Sequence, residues 1–126
     1  MKNYFAFLIL SFILFSSCDP RFDIDFKISN QSNEEINVII YYSSFNDTII
    51  VAPESEELID NYTGLGHKTN EAYAILDSIP IDFFSIEQNQ KEYSKNPKDK
   101  SLWNWEESGN GSVGKSILEI AEVDFD

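Results

Sequence analysis

The sequence predicts a mainly β protein: a single antiparallel β-sandwich of six to eight strands following a short N-terminal leader. Three observations carry that prediction. Phe22, Ile24, Phe26 and Ile28 alternate with Asp23, Asp25 and Lys27, a period of two that places one face in a core and one in water. Ile36 to Tyr42 is a run of β-branched and aromatic residues suited to a central strand. Turn-forming clusters such as Asn30-Gln31-Ser32-Asn33 separate such segments every ten residues or so.

The remaining elements follow in order. Phe45-Asn46-Asp47 turns the chain into a strand at Thr48–Val51, which Pro53 stops. Glu54 to Glu57 reads as an exposed acidic connection, and Leu58, Ile59 and Tyr62 as a weaker fourth strand. Thr63 to Asn70, with Gly64 and Gly66, reads as a loop. Glu71 to Leu76 suits two states: Asn70 is a fit cap for a short helix, while Tyr73 and Ile75 also suit a strand. Ile81, Phe83 and Ile86 fall on the next strand, after Pro80. Gln88 to Ser101 is polar, holds four lysines and reads as a long loop of the functional or mobile kind. Trp103 and Trp105 share one face of a strand, residues 108–112 turn, and Ile117–Val123 forms the last strand with Leu118 and Ile120 inward. This order matches an immunoglobulin- or transthyretin-like sandwich.

The leader is residues 1–17. Lys2 is the only charge before an apolar run from Phe5 to Phe15, which is too short to span a bilayer and has the layout of a signal peptide. Phe15-Ser16-Ser17-Cys18 resembles a bacterial lipobox, in which the cysteine receives lipid and becomes the new N-terminus. Phe15 stands where most lipoboxes carry Leu, a departure that resembles the permissive boxes of Bacteroidetes lipoproteins. Cys18 is the only cysteine, so a lipidated protein has neither a free thiol nor a disulfide. Residues 18–21 form a tether containing Pro20, and residues 22–126 form the sandwich domain. The opening strand running into Ile28-Ser29-Asn30-Gln31-Ser32, the Pro between strands and the Trp-bearing penultimate strand likewise resemble small Bacteroidetes lipoproteins. That resemblance implies a lipid-anchored protein of the bacterial cell envelope, at the outer membrane rather than the inner. It brings no chemistry with it. Asp47-Thr48-Ile49 and Asp77-Ser78-Ile79 are similar to the O-glycosylation sequon of exported Bacteroidetes proteins, which makes Thr48 and Ser78 candidate sugar acceptors.

The formal charge of the 126-residue chain is −13, and the leader contributes only Lys2, so the rest carries −14. A strongly acidic surface repels phosphate backbones, which argues against nucleic acid as a partner and favours a basic one. His67 is the only histidine and has no free cysteine beside it, which nearly excludes a zinc site, and no recognisable Ser-His-Asp set accompanies it. Gly64-Leu65-Gly66 lacks the third glycine of a dinucleotide fingerprint. Asp23 and Asp25 share a strand face but belong to no Asp-x-Asp-x-Asp-Gly loop for calcium. The sequence therefore predicts no metal, no cofactor and no enzyme. Three roles remain open: a binding or accessory protein of the envelope, an inhibitor or immunity protein that neutralises a basic toxin or lysozyme, and a carbohydrate-binding accessory. Trp103, Trp105 and Tyr93 are the candidate aromatics for a glycan platform, although aromatics on a β-face more often serve the core, the reading favoured for at least one Trp.

Overall fold

A computed structural model describes residues 19–125 except 83, 109 and 110. Cys18 and Phe83 lie outside the described residues. Eight strands form two four-stranded sheets packed as a sandwich. They are β1 (Arg21–Asn30), β2 (Ile36–Tyr41), β3 (Asn46–Val51), β4 (Glu56–Leu65), β5 (Phe84–Gln88), β6 (Lys91–Glu92), β7 (Trp103–Glu107) and β8 (Gly114–Ile120). One sheet has the order β4-β1-β8-β7 and the other β3-β2-β5-β6. A short helix, α1 (Thr69–Ala74), carries the chain from β4 toward β5.

The alternation of β1 is realised residue by residue: Phe22, Ile24, Phe26, Ile28 and Asn30 are buried, and the residues between them are not. They meet Val38, Val51, Ile86 and Ile36 in one continuous core. The sandwich departs from an all-antiparallel one at its centre. β1 pairs antiparallel with β4 but parallel with β8, so the first and last strands lie side by side. Strand alternation specifies which face of β8 is buried but not the direction of its neighbour.

Several boundaries differ from the sequence expectation. Glu56 and Glu57 belong to β4, and so do Thr63 and Gly64, because β4 pairs with the whole of β1. Gly64 sits directly opposite Phe22, whose ring lies where a Cβ would stand, 2.4 Å away. A β-bulge follows Phe26: Asp60 pairs with Phe26 and Leu58 with Lys27, leaving Ile59 unpaired between them. The bulge explains why Ile59 is buried while its neighbour Leu58 is 49% exposed.

Residues 69–74 resolve as helix rather than strand, burying Ala72 and Tyr73 against β1. Lys68, not Asn70, holds the N-cap position. Gln88 to Ser101 is not a free loop. It begins with a hairpin whose two connecting residues, Asn89 and Gln90, both have positive φ (51° and 65°), the geometry of a type I′ turn. Pinned segments and a 3-10 turn at Lys100–Leu102 follow. The last strand ends at Ile120, and a second 3-10 turn (Glu122–Phe125) leaves Val123 exposed.

Candidate functional site

The backbone of the site is the end of the β2–β3 hairpin. Tyr41 closes β2, and the chain reverses through Tyr42 to Phe45, with the Tyr42 N–H donating to the Phe45 carbonyl (2.9 Å). Tyr42 and Phe45 stack on each other at 4.7 Å between ring centroids, yet they are 50% and 61% exposed. Tyr41 is also exposed, its hydroxyl 3.1 Å from the Ser85 hydroxyl. An aromatic pair that stacks outside the core leaves apolar ring surface in water, a cost that the fold itself does not require.

Beside this hairpin the two sheets part. A groove of about 580 Å³ opens there, lined by Tyr41, Tyr42, Asp60, Pro80, Ile81 and Asp82, with Ile40 at its floor. Asp60 enters because of the β4 bulge: it pairs with Phe26, so it lies on the core side of its sheet, but at an edge strand where nothing covers it. Asp47 on β3 pairs with buried Ile40 and shares its inner face, and it too is exposed. The mouth therefore combines aromatic residues with the carboxylates of Asp60 on β4 and Asp82 in the crossing segment, and Asp47 stands on the neighbouring β3. The Asp60 carboxylate accepts the N–H of its neighbour Asn61 (2.9 Å). The Lys98 ammonium donates to the Asp82 carbonyl (3.1 Å).

The candidate aromatics for a glycan platform do not come together on an exposed face, and Trp103 lies in the core. Trp103 is 5% exposed, packs edge-on against Phe26 and donates its indole N–H to the Pro97 carbonyl (2.8 Å). Tyr93 is buried against Phe125. Trp105 is half-buried, with one face stacked on Tyr73 at 4.1 Å and the ring packed over Gly114, where an added Cβ would stand 2.1 Å from it. These rings belong to the scaffold because each brings large apolar area to a small core. Among the described residues the exposed aromatics are Tyr41, Tyr42 and Phe45, which sequence reasoning absorbed into a strand end and a turn. Their signal was present: three aromatics within five residues at a hairpin tip exceed what a turn requires.

The other candidates are placed as follows. Thr48 and Ser78 are both exposed, Thr48 on β3 and Ser78 in the bend before Pro80. His67 is exposed after β4. Asp23 and Asp25 stand on the outer face of β1, where the Asn61 amide donates to both (2.6 and 2.7 Å). Among the described residues, no group of three or more His, Cys, Asp or Glu side chains is arranged to hold a metal ion.

Behind the mouth the scaffold is closely pinned. Asn30 is fully buried and donates to the carbonyls of Glu34 (2.7 Å) and Val51 (3.0 Å), while its Oδ1 accepts from the Ser32 N–H (2.9 Å) and hydroxyl (2.7 Å). Gln88 closes the network by donating to the Ser32 hydroxyl at 2.6 Å. At the C-terminus, Lys95 pairs with Asp124 at 2.9 Å, and the Ala121 N–H donates to the same carboxylate (2.9 Å). Burial acts to raise the Asp124 pKa, but the hydrogen bonds from Ala121 and Lys95 outweigh it and hold the carboxyl below its ordinary range. The bond to Asp124 raises the Lys95 pKa in turn, and burial pushes the Tyr93 phenol up.

Comparison with protein-family models, with curated proteins and with solved structures finds no match to the chain.

Proposed function

We propose that this chain is a lipid-anchored protein of the bacterial cell envelope that acts by binding, without catalysis, through the mouth between its two sheets. The single observation that supports the binding surface is the exposed Tyr42–Phe45 stack at the lip of the 580 Å³ groove. Large apolar patches left in water on an otherwise satisfied scaffold mark sites of contact with partners. The anchor rests on Ser16-Ser17-Cys18, and the tether from Cys18 to Arg21 leads directly into β1. Among the described residues, no helix is long and apolar enough to cross a membrane. In this reading attachment is assigned to the acyl chains on Cys18, of which two or more give stable binding.

The experiment is site-specific photo-cross-linking in the native envelope. A photoreactive phenylalanine analogue at position 45 should give a discrete adduct, and the same analogue at exposed Glu119 on β8 should give none. Absence of any adduct from position 45, or equal adducts from both positions, would contradict the binding role of the mouth.

A further inference from the structure

We infer that the mouth receives an arginine-bearing segment of a basic protein partner, an assignment that rests on the binding role proposed above. Three features of the groove point to that chemistry. First, its lip carries the exposed Tyr42–Phe45 stack, and a guanidinium is the cation best suited to lie flat on the outer face of such a pair. Second, carboxylates stand around those rings: Asp60 and Asp82 line the groove, and Asp47 shares the inner face of Ile40. A carboxylate accepts a guanidinium through two parallel hydrogen bonds, which adds orientation as well as attraction. Third, no Lys or Arg lines the groove among the described residues, and Lys98 holds the Asp82 backbone carbonyl rather than a groove carboxylate.

The rest of the molecule favours a macromolecular source for that arginine. A formal charge of −13 steers a basic partner from a distance, which accelerates association and makes it sensitive to salt. The groove lies where residues of the edge strand β4, the end of the β2–β3 hairpin and the segment at residues 80–82 meet. Tyrosine and arginine are also the residues that dominate the centres of protein interfaces. A sugar would use the same rings, but it would gain nothing from the long-range charge.

The test uses the full chain made in a bacterium and purified in a neutral detergent, with binding read by calorimetry at low salt. The probes are a capped hexa-arginine peptide and, as the rival chemistry, an N-acetylglucosamine tetramer. The peptide should bind, and both D60N/D82N and Y42A/F45A should weaken it about tenfold. D23N/D25N removes the same charge from the outer face of β1 and should change affinity less than about twofold. All four groove positions are exposed, so a thermal melt should show these variants folded. Peptide binding that falls equally in D23N/D25N and D60N/D82N reflects diffuse charge and overturns the inference. So does a chain that takes the tetramer through Tyr42 and Phe45 but not the peptide, although that result leaves the mouth as a binding surface. A chain that takes neither probe while position 45 still cross-links in the envelope also overturns the arginine assignment alone.

Discussion

Gln90 occupies a position that favours glycine. Its φ of 65° lies in the left-handed region, which costs an ordinary side chain about 1 kcal/mol that Gly does not incur. Gln90→Gly should therefore stabilise the protein by about 0.5–1 kcal/mol, seen as a higher urea midpoint at unchanged slope. Gly114→Ala should do the reverse. Its Cβ would meet the Trp105 ring, so overpacking should cost about 1–3 kcal/mol in the same assay. Asn30→Ala should cost about 2 kcal/mol or more, because it leaves the buried carbonyl of Val51 and the Ser32 N–H without their partner. The sequence showed Asn30-Gln31-Ser32 only as a turn with a resemblance to envelope lipoproteins. The structure supplies the physical reason: the tripeptide ends β1 with an inward polar side chain whose bonds tie that strand to the ends of β2 and β3. Burial of Asn30 followed from the alternation of β1, but its acceptors lie 4 and 21 residues away and carry no local mark.

At the scale of elements, the lysine-rich segment behaves as a strap. Lys100 reaches across to the C-terminal end of α1, where its ammonium donates to the carbonyls of Tyr73 (2.7 Å), Ala74 (3.3 Å) and Leu76 (3.1 Å) and lies 4.5 Å from the Tyr73 ring centre. A helix of 6 residues cannot stand alone, so this cap and the Tyr73 stack on Trp105 hold it. Lys100→Met should cost about 1 kcal/mol and speed amide exchange in α1 ahead of the strands. The strap and C-terminus also set a pH window. The Asp124 pKa is depressed from 3.8, so its stabilisation is complete above that value and is lost as pH falls through the folded pKa. Lys95 and Tyr93 are raised from 10.5 and 10.0, so their contributions hold below those values and are lost as pH rises. In urea titrations, wild type should weaken more steeply than Asp124→Asn below about pH 4. The strands were legible because period-two alternation is a local signal. The strap was not, because a lysine that caps a helix 26 residues away looks in sequence like any solvated charge.

At the scale of the whole molecule, the sandwich was legible in its class, strand count and buried faces. Its parallel centre was not, since pairing β1 with β8 brings Ile24 opposite Gly114, far beyond any local pattern. The mouth was missed for a related reason. Tyr41, Tyr42 and Phe45 read as strand and turn until the β4 bulge, the hairpin tip and the segment at Asp82 are brought together. Over the described residues the fold presents a pinned, acidic domain with an aromatic opening, and in the proposed reading residues 18–21 form the tether that leads into β1. An envelope role depends on that tether ending in lipid. Intact-mass analysis with detergent partitioning of the wild-type protein expressed in a bacterium tests this most directly. The account predicts a detergent-phase protein that begins at Cys18 and carries added acyl mass, with Cys18→Ser left as uncut or slowly released precursor. A water-soluble wild-type form that begins elsewhere, or one without acyl mass, would contradict it.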